Sequence, residues 1–165
     1  TFSTSDKMTG FVFMSAFIKQ KGNNFSAPLE NVFILTNISQ IGDKTASSNT
    51  ALVKMLSPLC IREHNRGENK DSYYSVASES FEKKANKIIQ EQLIESGFDD
   101  ERVKGFSIKP LNSKKTVVFH YGNYIECSLG EFVLNGDKAI INYLLQSGIG
   151  SRKSAGFGLP ILVAE

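Results

Sequence analysis

The sequence predicts an α+β fold built on a ferredoxin-like (RRM-like) βαββαβ lobe, preceded by a second ferredoxin-like lobe that is truncated. Three observations predict it. From residue 51 the patterns run strand, helix, strand, strand, helix, strand. Before residue 51 they run only strand, helix, strand, half of the same unit. Apolar stripes at helical spacing over residues 81–93 and 140–145 can cover one face of an antiparallel sheet and leave the other open. The domain reading is a partial amino-terminal lobe over residues 1–45 and a complete carboxy-terminal lobe over residues 51–165. The chain begins with Thr1 rather than Met, as a processed start or a piece of a longer chain would. A strand–helix–strand of roughly 60–80 residues would complete the first lobe.

Thr1–Thr4 is short and β-prone, and Thr4-Ser5-Asp6 offers a helix cap. Met8, Phe11, Met14 and Ile18 fall at helical spacing, and Lys19-Gln20-Lys21-Gly22 is a helix ending, so residues 5–21 read as a helix. Asn31–Ile38 reads as a buried strand and residues 42–50 as a polar loop. Within Ala51–Ile61, Pro58 prevents a continuous helix and favours an extended segment. Residues 63–72 read as a charged loop. Ser80 caps a helix whose face is Phe81, Ala85, Ile88, Ile89 and Leu93, and Gly97 ends it. Phe106–Leu111 and Lys115–Tyr121 read as strands. Tyr124–Leu129 and Glu131–Leu134 read as another hairpin turning at Gly130. Asp137 caps the last helix, and Phe157–Val163 reads as the final strand.

Composition narrows the function. The chain is 165 residues long with 41% hydrophobic and 22% charged residues, an ordinary globular balance. It has no run long and apolar enough for a membrane span, and no secretory leader pattern, so no membrane partner and a cytoplasmic location are expected. A net charge of +2 is too small to argue for nucleic acid, so any anion site must be local. Cys60 and Cys127 are too few for a disulfide framework or a zinc set and read as buried small hydrophobes in a reducing compartment; no metal site and no cofactor are expected.

One segment stands out. Residues 148–158, GIGSRKSAGFG, place four glycines around Arg152 and Lys153. Glycine admits close backbone approach, and successive N–H groups can face an anion. On composition alone, a phosphate cradle and a solvated glycine loop stand side by side. The familiar nucleotide loops do not fit. A P-loop follows a strand and opens a helix, whereas this loop follows a helix and leads into a strand, with Arg152 where the second glycine belongs. The dinucleotide fingerprint also opens a helix.

The segment resembles the carboxy-terminal glycine-rich loop of the RAMP superfamily, and within it the CRISPR pre-crRNA-processing endoribonucleases. Met55–Arg62 (MLSPLCIR) is similar to that family's "LSP" strand ending in arginine. Asp71-Ser72-Tyr73-Tyr74 before the helix from Phe81 resembles its loop-then-helix order, and Gly130-Glu131-Phe132 its hairpin before the last helix. The resemblance covers residues 51–165 well and residues 1–40 more loosely.

The resemblance implies an endoribonuclease that binds CRISPR repeat RNA in the precursor transcript and cuts it without metal. The ribose 2′-OH attacks the adjacent phosphate, leaving a 2′,3′-cyclic phosphate and a 5′-OH. Such a step needs a base, an acid for the leaving oxygen and donors for the phosphorane charge. The resemblance puts Gly148, Gly150, Arg152, Lys153, Gly156, Phe157 and Gly158 at the RNA backbone, with Phe157 rather a core anchor. It places the family's general-base histidine in the early helical part of the amino-terminal lobe, a part this chain is expected to lack. The two histidines here, His64 and His120, match no such position, so the catalytic group stays open with these two as candidates. Tyr73 and Tyr74 could face RNA or be buried. Lys114 and Lys115 read as a solvated strand end, and Lys83, Lys84 and Lys87 as a solvent face. Effector-complex subunits and a second copy of the chain are open as partners. A non-catalytic RAMP RNA-binding subunit of a CRISPR surveillance complex is the alternative function, and an unrelated ferredoxin-like module a third.

Overall fold

The computed structural model describes residues 1–42 and 44–165 and divides into two compact units, Thr1–Asp43 and Lys44–Glu165. Asp43, within the expected 42–50 loop, lies outside the described residues. No helix among the described residues is long and apolar enough to cross a membrane.

The first unit holds helix α1 (Lys7–Lys19) and a short antiparallel hairpin, β1 (Asn24–Ser26) with β2 (Val32–Ile34). Asp6 is the cap: its carboxylate accepts from the Met8 amide at 3.0 Å and the Thr9 amide at 3.3 Å. Those bonds satisfy donors that the helix itself cannot. Thr1–Thr4 is not a strand, and the buried strand expected over 31–38 is three residues long and exposed. α1 buries no side chain fully; Phe11, Phe13, Phe17 and Ile18 are all exposed.

The second unit contains a four-stranded sheet in the order β6-β7-β3-β8, antiparallel throughout, from β3 (Thr50–Met55), β6 (Ser107–His120), β7 (Asn123–Asn135) and β8 (Pro160–Ala164). Helix α2 (Phe81–Glu95) joins β3 to β6, and α4 (Lys138–Ser147) joins β7 to β8. This is the expected ferredoxin-like βαββαβ order. The core forms where the helix stripes meet the sheet. Phe81, Ala85, Ile89 and Leu93 of α2 and Ile140, Ile141 and Leu144 of α4 are buried with Ala51, Val53, Ile108, Phe132 and Leu134. Ile88, expected on that face, is only partly buried. Asp137 caps α4 through the Ala139 amide at 2.7 Å. A short helix, α3 (Asp100–Lys104), follows α2, and its Val103 joins the core.

Two expectations are corrected. The charged loop over residues 63–72 is a hairpin, β4 (Ile61–Asn65) with β5 (Lys70–Tyr74). Its rungs pair polar side chains, such as Glu63 with Ser72 and His64 with Asp71, so no apolar alternation marks it. The two hairpins expected over 106–134 are one long hairpin turning at Tyr121 and Gly122. Gly130 lies inside β7, not at a turn. It pairs with Ser113, and next to that rung the register slips between Pro110 and Asn112, a bulge. A Cβ on Gly130 would fall 2.2 Å from the Asn112 carbonyl oxygen, so the glycine permits close strand approach.

Candidate functional site

The glycine-rich loop is held inward. The Ser57-Pro58 turn receives it: the Gly158 amide donates to the Pro58 carbonyl at 2.9 Å and the Leu159 amide to Ser57 Oγ at 2.9 Å. The Ser151 amide donates to the Cys60 carbonyl at 2.8 Å, and the Gly150 amide to Gln92 Oε1 at 3.1 Å. The amides of Gly148, Ile149 and Gly156 also donate to main-chain carbonyls. A Cβ on Gly158 would lie 2.0 Å from the Ile149 carbonyl oxygen.

The amide cradle is therefore corrected. These N–H groups are already engaged by protein, and Gly148, Gly150, Gly158 and Phe157 are buried. Their glycines serve tight packing of one motif on another. What the loop presents outward is the exposed stretch Ser154 to Gly156, with Arg152 and Lys153 half-buried beside it. Phe157 is a core residue, packed with Cys60, Ile125 and Cys127.

Arg152 has positive φ, +58°, and its side chain reaches β5. Its Nε donates to the Tyr73 hydroxyl at 3.1 Å and its Nη2 to Asp71 Oδ2 at 3.1 Å. The Tyr73 hydroxyl in turn donates to Asp71 at 3.2 Å. Asp71 also takes Arg62 Nη1 at 3.2 Å and His64 Nδ1 at 2.8 Å. Burial would raise the Asp71 pKa, but the bonds from His64 and Arg62 prevail and hold it down to about 2. The Tyr73 hydroxyl, then the Asp71 charge, raise the Arg152 pKa above its ordinary value. Burial raises that of Tyr73. An ionised carboxylate can only accept, so His64 donates from Nδ1 to Asp71, and Nε2 is left outside that bond.

These groups line one cleft of about 480 Å³ with Lys70, His120, Tyr121, Asn123, Tyr124 and Ile125. The structure thus brings both histidines to one place, with three cations against one carboxylate. His120 packs edge-on to Phe157 at 5.3 Å, and its Nε2 is buried without a protein hydrogen-bond partner. The sequence reading missed Arg62, Lys70 and Asp71 as cleft residues. The signal was the seven-residue spacing from His64 to Asp71 around Asn-Arg-Gly-Glu-Asn, a hairpin turn.

The other candidates lie elsewhere. Tyr74 donates to Glu63 at 2.9 Å, and Lys84 pairs with the same carboxylate at 2.6 Å, so Lys84 is tied to β4 rather than solvated. Lys114 and Lys115 are exposed as expected but lie within β6 rather than at a strand end, and Lys115 pairs with Glu126 across to β7.

Among sequence families, the model described as CRISPR associated protein Cas6, C-terminal, matches residues 41–160. No curated protein matches the chain. Among solved structures, a Cas6-related gene product from Pyrococcus furiosus is 23% identical with a TM-score of 0.82, over 99% of this chain and 66% of that one. A structure described as a RAMP protein binding different RNA substrates is 24% identical with a TM-score of 0.80, over 98% of this chain and 67% of that one. A Cas6 product complex is 13% identical with a TM-score of 0.63, over 96% of this chain and 72% of that one. The chain thus spans about two thirds of the length of the solved chains it matches. At these identities the likeness is one of fold.

Proposed function

The chain belongs to the Cas6 family of CRISPR-associated proteins through its carboxy-terminal region, and on that premise we propose that it binds CRISPR repeat RNA and processes the precursor transcript as an endoribonuclease. The observation that carries this reading is the cleft in which His64, His120, Tyr73, Arg62 and Arg152 converge. A basic groove edged by aromatic rings suits single-stranded or looped RNA, whose bases can leave the stack.

In this reading the chemistry needs no metal. His64 Nε2 accepts the proton of the ribose 2′-OH, while Asp71 fixes the ring through Nδ1. The freed oxygen attacks the adjacent phosphorus, the P–O5′ bond breaks, and the 5′-oxygen takes a proton from water, giving a 2′,3′-cyclic phosphate and a 5′-OH; the resulting hydroxide takes the proton from His64. Arg152 and Arg62 neutralise charge on the phosphorane. Lys153 and Gly156 meet the RNA backbone at the outer side of the loop.

The test is cleavage of a matching repeat RNA in EDTA. The expected result is one cut, a cyclic-phosphate end, and none with a 2′-deoxy sugar at the cut. A metal requirement, or cutting of the 2′-deoxy substrate, would overturn the mechanism. Tight binding without cleavage would favour the non-catalytic RNA-binding subunit.

A further inference from the structure

Cys60 and Cys127 face one another beneath the glycine-rich loop. Leu59 and Ser128 exchange both main-chain hydrogen bonds, at 2.8 Å and 2.9 Å, as an isolated antiparallel bridge. Cys60 and Cys127 are the residues next to that bridge on its two segments, and both fall in one buried cluster. Both cysteines are free and both are fully buried.

The pair is not part of the main core. It belongs to a cluster of four buried residues with Ile125 and Phe157, and Tyr73 packs against it. Ile125 and Tyr73 also line the cleft. A cluster this small, next to a solvent-filled cleft, opens at a lower free energy than the sheet–helix core.

We propose that Cys60 and Cys127 are a reversible oxidation site, closing to an intrachain disulfide when a small peroxide enters the cluster. The Cys60 thiolate attacks one peroxide oxygen. The O–O bond breaks, and the departing hydroxide takes the proton Cys60 released, leaving a sulfenic acid and water. The Cys127 thiolate then attacks the Cys60 sulfur. The S–O bond breaks, and the second hydroxide leaves as water with the Cys127 proton. Two thiols are oxidised by two electrons, and one peroxide is reduced to two waters. Cys60 is the first to react because its thiol is the more acidic: the Cys127 hydrogen bond lowers its pKa against burial, with help from the Arg152 and Arg62 charges. The bond from Cys60, then burial, push Cys127 the other way. The site does not depend on the RNA reading.

The experiment treats the folded full chain with hydrogen peroxide, then denatures it in a thiol-alkylating reagent and measures intact mass. The reduced chain takes two labels. After oxidation it should take none, weigh two hydrogen atoms less, and yield a tryptic peptide joining Cys60 to Cys127. A dithiol reductant should restore both labels. In Cys60→Ser and in Cys127→Ser the remaining cysteine should form no intrachain crosslink. Persistence of both labels, irreversible oxygen addition without a crosslink, or a bond between chains on non-reducing electrophoresis would each overturn the proposal.

Discussion

His64 stands directly opposite Asp71 across the β4–β5 hairpin, with its Nδ1 2.8 Å from a carboxylate oxygen. The register makes the contact: strand pairing puts the two side chains on one face, and the ionised carboxylate accepts from Nδ1. Replacing His64 by alanine or glutamine should lower the cleavage rate by about 10²–10⁴-fold, the range general base catalysis supplies. Repeat-RNA affinity should change little. Single-turnover kinetics beside equilibrium binding separate the two, and a variant that cuts at the parental rate would remove His64 from the chemistry.

Arg152 is the cation of the loop that the cleft holds in place. Arg152→Ala and Lys153→Ala should each weaken repeat-RNA binding and flatten the dependence of log affinity on log salt, by about 0.7–0.9 per lost phosphate contact. Filter binding across a salt series reads the slope. Identical slopes in parent and variants would mean that neither side chain meets a phosphate.

Asp71 predicts an acid-side stability change. Its folded pKa, about 2, lies below the ordinary value of 3.8. The native state therefore favours the ionised form, and this contribution is complete above about pH 4, the unfolded carboxyl range. It is lost as the pH falls through the folded value. Urea midpoints of the parent and Asp71→Asn should differ at about pH 5 and converge near pH 2. A gap that stays constant over that interval would show that the carboxylate charge adds nothing to folding.

Gly158→Ala places a carbon 2.0 Å from the Ile149 carbonyl oxygen, at a φ of +75°. Backbone on both sides must move. The expected loss is about 3 kcal/mol or more, with a clear drop in melting temperature. Gly156→Ala, where a Cβ meets nothing within 4 Å, should cost less. Equal melting curves for Gly158→Ala and the parent would contradict the inward docking of the loop.

What the sequence makes legible is local. The stripe Phe81, Ala85, Ile89 and Leu93 follows helical periodicity, so α2 and its buried face are readable from spacing. Asp137 before an apolar helix is equally plain. The β4–β5 hairpin is hidden because its rungs are polar, and the length of β6 and β7 is hidden because Gly130 and Asn112-Ser113 look like turns. At the site, the glycines and twin cations are conspicuous in the chain. Their orientation is not, because the carbonyls of Pro58 and Cys60 that take the loop's amides come from a distant stretch of sequence. The pairing of His64 with Asp71 likewise depends on a register that no side-chain pattern announces.

The long β6–β7 hairpin has unequal ends. Near its base Ile108, Phe132 and Leu134 are anchored in the core; towards its tip Val117, Phe119, Tyr121 and Tyr124 are exposed. Such a ribbon behaves as a cantilever. Its rungs fray from the free end, so amide exchange should run fast at the tip and slow at the root, with the bulge beside Gly130 as the natural place to flex. The cleft residues Tyr121 and Tyr124 ride at that tip, beside His120, whose ring stays packed on Phe157.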